Sequence, residues 1–213
     1  MGNGIVSPKS LTLVPNATGA DNDSIAGTQT PGGAVNMTLA GTAASFAPAG
    51  IGLFVTITGD GGTDLRAINF TITGTNALGH ECSEVRAGPN GAATVTTTLK
   101  FNTVTQIAVS GGTTTAVRAG NAAGSGGSEQ SIFAGRTRLR ELFGTTAATA
   151  DTITTFYNGG ESQSKQLFAV RNPLGAQTLI NPASAHGGLL ADEGLSVDMP
   201  ANSFVSLTVY YDG

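Results

Sequence analysis

Alternating apolar and polar residues begin near residue 50 and define the first predicted strands. Leu53 to Thr58 and Ile68 to Thr73 both alternate with a period of two, which places successive side chains on opposite faces of a strand. Between them, residues 59–64 (Gly-Asp-Gly-Gly-Thr-Asp) form a cluster of turn formers. The two runs and the turn together predict a β-hairpin.

Shorter versions of this pattern continue to the end of the chain. The further predicted strands are His80 to Arg86, Val95 to Phe101, Val104 to Val109, Ile153 to Tyr157, Gln166 to Arg171, Gln177 to Ile180, Leu195 to Met199 and Ser203 to Tyr211. A break in alternation near Thr105 and Gln106 indicates a β-bulge. Many short strands separated by turns are typical of a sandwich or a jelly roll. Arg136 to Phe143 is different, because it predicts a short helix.

The first 49 residues differ in pattern from the rest of the chain. Turn formers cluster at residues 15–24 and 28–33, with short apolar pieces beside them. We interpret residues 1–49 as an extended arm with one or two short strands that lies on the body or on a neighbour. The alternative is a loop-rich first part of one domain.

The remaining chain divides into a β-rich domain at 50–118, a Gly/Ser linker or loop at 119–129, and a second β-sandwich-like domain at 130–213. The predicted fold class is therefore all-β. We expect a β-sandwich or jelly-roll-like body with an extended N-terminal arm and little or no helix.

Composition supports strands and limits the classes of partner. The 213 residues include 31 glycines, 39% are hydrophobic, 11% are charged, and the net charge is -4. Abundant glycine suits tight turns, and this hydrophobic fraction with little net charge favours a folded chain over a disordered one. Nucleic acid and anionic membranes both require clustered Lys and Arg, so we expect neither as a partner. The N-terminus lacks the pattern of a signal peptide, which predicts synthesis in the cytoplasm.

Residue types that carry chemistry are few, and each group has a simpler structural interpretation. His80, Cys82 and Glu84 would share one face of a strand, but zinc sites normally use paired ligand motifs. Asp60 and Asp64 stand in a Gly-rich turn that suits calcium, although the further ligands of an EF-hand loop are missing. A weak calcium site at these two residues remains open.

A nucleophilic triad is also considered and set aside. Ser184, His186 and Asp192 are the residue types of a triad, but no Gly-x-Ser-x-Gly elbow accompanies them. We therefore predict no enzyme activity, no metal and no cofactor.

Partner contacts are predicted at the apolar pieces of the arm and at the basic cluster. Three arginines without interleaved aromatic residues favour a solvated face or an inter-subunit salt bridge over a nucleic-acid site. The candidate partner-binding residues are Leu11, Leu13, Val14, Val35, Met37, Leu39, Arg136, Arg138 and Arg140.

Several stretches resemble structural proteins of tailed-bacteriophage virions. In the first half these are Phe70 to Gly79 (Phe-Thr-Ile-Thr-Gly-Thr-Asn-Ala-Leu-Gly), Gly88 to Gly91 and Leu99 to Ser110. The C-terminal part is similar to small β-sandwich modules of phage capsids and tails, through Thr155 to Gly159, Leu167 to Val170, Gly188 to Leu190, Glu193 to Asp198 and Val205 to Gly213. The arm and the arginine cluster lie outside this resemblance.

The resemblance implies a virion protein located on the capsid surface. The expected function is that of a capsid decoration (cement) protein, which binds the major capsid protein or other virion proteins and stabilises the head. Such assemblies imply a homo-oligomer, a dimer or trimer, with arms that add strands to neighbours.

Two alternatives remain open for the function. One is a head-fibre, tail or adaptor component of the virion. The other is a carbohydrate- or receptor-binding β-sandwich, for which the candidate aromatic residues are Phe156, Tyr157, Tyr210 and Tyr211.

Overall fold

The computed structural model describes residues 8–147, 152–172, 177–180 and 187–213. Within these ranges the chain forms strands and two single 3₁₀ turns, Gly124–Gly126 and Glu161–Gln163, and the predicted all-β fold class is confirmed. No helix in the described ranges is long and apolar enough to cross a membrane. The strands are β1 (Lys9–Leu13), β2 (Asp21–Gln29), β3 (Ile51–Gly59), β4 (Asn69–Thr75), β5 (Glu81–Ala87), β6 (Thr94–Phe101), β7 (Thr103–Val109), β8 (Val117–Asn121), β9 (Gly127–Phe133), β10 (Thr137–Thr146), β11 (Thr152–Asn158), β12 (Gln166–Asn172), β13 (Gln177–Ile180), β14 (Leu189–Ala191), β15 (Leu195–Pro200) and β16 (Phe204–Asp212).

The chain divides into two compact units. The central unit is Ala17–Gly126, and the terminal unit combines Met1–Asn16 with Gly127–Gly213. The buried apolar residues likewise form two clusters, one in each unit, and these clusters share no residue.

The central unit has two antiparallel layers over one core. Its strand orders are β6-β3-β8-β2 and β5-β4-β7. Phe70 and Ile107 from the second layer and Leu53 and Phe101 from the first are all completely buried. Inward-facing residues from both layers therefore build the core, as in a sandwich.

The terminal unit repeats this arrangement with different strands. One layer has the order β1-β16-β10-β13, with β14 also paired to β10, and the other has the order β12-β11-β15-β9. All of these pairs are antiparallel. Leu139 and Val209 of the first layer and Phe156 and Val197 of the second are completely buried in its core.

The β-bulge predicted near Thr105 is confirmed. On β7, Gln106 stands opposite Thr73 and Val104 stands opposite Gly74, so Thr105 has no residue opposite it. The strand predicted from His80 to Arg86 is also present as β5, at the end of its layer.

The predicted hairpin between Leu53 to Thr58 and Ile68 to Thr73 is wrong. β3 pairs with β6 and β8, whereas β4 pairs with β5 and β7, so the two strands belong to different layers. The connection crosses between them, and Leu65 N donates to Pro89 O at 2.9 Å along the way. A glycine-rich turn marks a change of direction, but it does not specify the partner of the next strand.

The short helix predicted at Arg136 to Phe143 is also wrong, because Thr137 to Phe143 lie in β10. Leu139 stands opposite Tyr211 and Glu141 opposite Tyr210, so the register with β16 shifts by one residue at a β-bulge. The bulge turns Leu139 and Leu142 both toward the core. Their separation of three residues imitates the spacing of a helix.

The region predicted as an arm contributes instead to both units. β1 pairs with β16 along its whole length, and β2 pairs with β8. Ile25, Met37 and Phe46 belong to the core of the central unit. The strand suggested by Val35, Met37 and Leu39 is reduced to one bridge between Asn36 and Ala108.

The predicted linker at 119–129 is likewise part of the folded structure. It contains the end of β8, the first 3₁₀ turn and the start of β9. The boundary between the two units falls after Gly126, within the glycine-rich stretch.

Candidate interaction surface

A β-bulge in β10 positions one arginine of the basic cluster. Arg140 is the residue with no partner position in β16, and bulges of this kind redirect a side chain. Its Nε and Nη2 donate to Asp212 Oδ2 at 2.7 and 2.5 Å. This hydrogen bond with Asp212 raises the pKa of the Arg140 guanidinium. Arg140 therefore ties β10 to the end of β16.

Arg138 lies two residues before Arg140 on the same strand, between Leu190 of β14 and Asp212 of β16. The turn before β14 packs against the arginine stems, because a Cβ on Gly188 would lie 2.9 Å from Leu139 O and 3.1 Å from Arg138 Cβ. Gly188 also has a φ of +112°, which favours glycine. The Gly188 carbonyl lies 3.5 Å from Arg138 Nη1, at the limit of a hydrogen bond.

Arg136 precedes β10 and is exposed, and it completes a positively charged cleft. The open cleft has a volume of about 360 Å³ and is lined by Arg136, Thr137, Arg138, Leu190, Asp212 and Gly213. Asp212 is neutralised by Arg140. Across the described part of the chain, neither Arg136 nor Arg138 forms an ion pair with a carboxylate. We call this site the arginine cleft.

The apolar residues predicted to contact a partner divide between core and surface. Leu13 and Met37 are buried in the cores of the terminal and central units, Leu11 and Leu39 pack against those cores, and Val14 and Val35 are exposed. Four of the six side chains therefore contribute to the cores of this chain.

An exposed apolar pair that the sequence analysis missed lies on the outer face of β10 and β13. Phe143 and Leu179 stand opposite each other and are 41% and 65% exposed. On the same face, Thr208 stands opposite Phe143, and its hydroxyl is 3.0 Å from the hydroxyl of Thr12. The sequence could have indicated this pair, because successive side chains of a strand point to opposite faces. If Leu142 points toward the core, Phe143 points outward. We call this surface the outer face.

The residues considered for zinc are occupied in other ways. Cys82 is buried. The Glu84 carboxylate accepts hydrogen bonds from the backbone N–H groups of Thr98 and Leu99 and from the Thr98 hydroxyl, at 2.7–3.0 Å. Among the described residues, no three His, Cys, Asp or Glu side chains are grouped so that they could hold a metal ion.

The two carboxylates considered for calcium each have a cationic partner. Asp60 pairs with Arg118 at 3.1 Å, and Asp64 pairs with Arg66 at 2.7 Å. The side-chain hydrogen bond from Arg66 lowers the pKa of Asp64 to about 2.

Of the three residues considered for a catalytic triad, the structure describes only Asp192. Asp192 accepts a hydrogen bond from Asn158 Nδ2, which lowers the pKa of the Asp192 carboxyl. Ser184 and His186 lie outside the described residues.

The aromatic residues considered for sugar binding are largely covered. Phe156 and Tyr211 are buried, and Tyr157 and Tyr210 are partly exposed. No described aromatic pair among them forms an exposed platform: Phe156 packs on Phe168, with centroids 6.4 Å apart, and Tyr211 packs on Phe133 at 5.8 Å.

No known protein family, curated protein or solved structure matches this chain. Two of the stretches from which a virion protein is expected lie on neighbouring strands of the central unit. Residues 70–79 contain most of β4, and residues 99–110 contain the end of β6 and all of β7. β4 and β7 are hydrogen-bonded neighbours, with Phe70 opposite Val109 and Thr75 opposite Thr103.

Proposed function

We propose that this chain is a non-enzymatic structural protein of a tailed-phage virion, and specifically a capsid decoration protein that binds the major capsid lattice and stabilises the head. The observation that carries the proposal is that the resembling stretches 70–79 and 99–110 form adjacent, paired strands. Within the central unit the resemblance therefore falls mainly on two neighbouring strands, β4 and β7. The C-terminal stretches that share the resemblance lie in the terminal unit.

The outer face of the terminal unit supports binding to a protein lattice. Exposed apolar groups that lie together mark interaction sites more often than single exposed residues do. Phe143 and Leu179 form such a pair, and the neighbouring Thr12 and Thr208 add an uncharged, hydrogen-bonding border. We assign the contact with the capsid protein to this face.

The test uses heads of the source phage that lack this protein, mixed with the purified full-length chain. We expect the chain to saturate the heads at a fixed ratio to the capsid protein, with an antibody label over the whole shell in negative stain. A label at a single vertex would replace decoration with a tail or adaptor role. A chain missing from intact virions and unable to bind heads would contradict the virion proposal.

The contact surface is tested with paired variants. Phe143→Ser combined with Leu179→Ser should weaken binding to heads about tenfold or more, because truncating residues at the centre of an interface costs about 2 kcal/mol or more and about 1.4 kcal/mol is tenfold in affinity. Val85→Ser is the matched control, because Val85 is 58% exposed but lies in the central unit. Equal binding by both variants would contradict the assignment of the outer face.

A further inference from the structure

Two arginines of the arginine cleft, Arg136 and Arg138, form no ion pair within the described residues. The charge of Arg136 acts on Asp192, whose pKa it helps to lower. Arg140 and Asp212 neutralise each other, which leaves the guanidinium groups of Arg136 and Arg138 at the cleft wall. Leu190, which is 37% exposed, adds an apolar contact beside them. Arginine presents several N–H donors in a planar fork, so the cleft is suited to carboxylates.

Two carboxylates at the start of β2 carry the complementary charge. Asp21 and Asp23 are exposed, and neither forms an ion pair within the described residues. The hydrogen bond and the charge of Asp21 raise the pKa of Asp23. Arg118, the cation whose charge acts on Asp23, is paired with Asp60.

The local structure holds this acidic segment firmly. Asp23 N donates to Asp21 Oδ1 at 3.1 Å, and the Ser24 hydroxyl donates to Asn121 Oδ1 at 2.8 Å. β8 lies so close that a Cβ on Gly120 would be 1.9 Å from Asp21 O. A preorganised pair of carboxylates loses little conformational entropy when it meets a cationic surface.

We propose that the arginine cleft of one molecule binds the Asp21–Asp23 segment of a second copy of this chain. Each copy then has one hydrogen-bond donor surface, the two guanidinium groups of the cleft, and one acceptor surface, the two carboxylates of the segment. This contact joins different surfaces of the two copies. It forms twice and reciprocally in a two-fold dimer, or once per neighbour in a head-to-tail ring or open chain. The proposal does not depend on the assignment to a virion.

The test measures self-association of the full-length protein by sedimentation equilibrium at low and high salt. One variant carries Arg136→Asp and Arg138→Asp, and the other carries Asp21→Arg and Asp23→Arg. Each variant alone should associate about tenfold or more weakly than the original chain, because like charges then face each other. An equal mixture should recover association, because each variant then offers the charge that the other needs.

Matched controls separate this contact from general charge effects. Arg66→Asp and Glu81→Arg change exposed charges elsewhere in the central unit and should leave association unchanged. Arg136→Gln with Arg138→Gln, and Asp21→Asn with Asp23→Asn, provide milder variants if a charge reversal disturbs folding by circular dichroism. A chain that is monomeric at low salt, or a mixture that does not recover association, would overturn the proposal.

Discussion

Gly120 shows how one residue can determine the position of a whole segment. It lies in β8, and the space that a Cβ would need is filled by the backbone of Asp21 and Asn22. Only glycine allows β2 to approach this closely, which places the acidic segment on the surface of the central unit. In the sequence alone, a glycine at this position argues against a strand, because glycine weakens strand interiors. This is why β8 was not predicted.

Ion pairing at Asp64 has a measurable consequence for pH dependence. The hydrogen bond from Arg66 holds the pKa of Asp64 at about 2, below the ordinary value of 3.8. Because the folded-state pKa is lowered, the stabilisation by this pair is complete above about pH 3.8 and is lost as the pH falls toward 2. We expect an NMR titration of Asp64 to show a midpoint near 2 that returns toward 3.8 in Arg66→Ala.

The control for this titration is Arg136→Ala, which removes an exposed arginine from the terminal unit. It should leave the Asp64 midpoint near 2. A midpoint near 3.8 in the original chain would show that the pair with Arg66 does not form in solution.

At the scale of elements, β10 explains which strands could be predicted and which could not. β16 keeps strict alternation at Leu207 and Val209, and it was predicted with nearly its observed bounds. In β10, one bulge places Leu139 and Leu142 on the same side, so the period of two is lost. This bulge arises from the pairing of β10 with β16, which is distant in sequence, so the local pattern does not reveal it.

β9 was missed for a different reason, because its buried positions are polar. Ser128, Glu129 and Gln130 are all buried. Glu129 Oε1 accepts a hydrogen bond from the Ser196 hydroxyl at 2.6 Å and from Glu161 N at 2.8 Å. These partners lie far along the chain, so no local pattern distinguishes this strand from a loop.

Glu84 connects β5 to β6 through hydrogen bonds, and substituting it tests how much these bonds stabilise the central unit. Its carboxylate, 12% exposed, accepts hydrogen bonds from β6 at Thr98 and Leu99. Glu84→Ala leaves these donors without their acceptor and should cost about 1.5–3 kcal/mol of unfolding free energy. The same change should increase hydrogen exchange at the two backbone N–H groups.

Urea unfolding should be followed by circular dichroism, because the three tyrosines lie in the terminal unit and the chain has no tryptophan. Glu81→Ala is the matched control, since Glu81 lies on the same strand and is exposed. If both variants lose the same stability, the hydrogen bonds of Glu84 are not the cause.

At the scale of the whole molecule, the all-β class and two β-rich parts were predictable, but the route of the chain was not. Turn formers at residues 15–24 and 28–33 suggested an arm, yet Ile25 and Met37 between and beyond them are core residues. The N-terminal strand joins the unit that contains the C-terminus, with Lys9 opposite Tyr211. Such pairing between distant ends leaves no local mark in the sequence.

The two-core organisation makes a prediction about the apolar residues near the N-terminus. Leu13→Ala and Met37→Ala should each lower the unfolding free energy by about 2–5 kcal/mol, because they leave cavities in the terminal and central cores. Their exposed counterparts, Val14→Ala and Val35→Ala, should change it by less than about 0.5 kcal/mol.

The spectroscopic signals assign each loss to one unit. Leu13→Ala should shift the tyrosine fluorescence transition, because Leu13 pairs with β16, the strand that carries Tyr210 and Tyr211. Met37→Ala should be detected by circular dichroism, because the central unit contains no tyrosine. If Leu13→Ala and Met37→Ala unfold like the original chain, these side chains are not core residues. They would then be available to a partner, as an N-terminal arm requires.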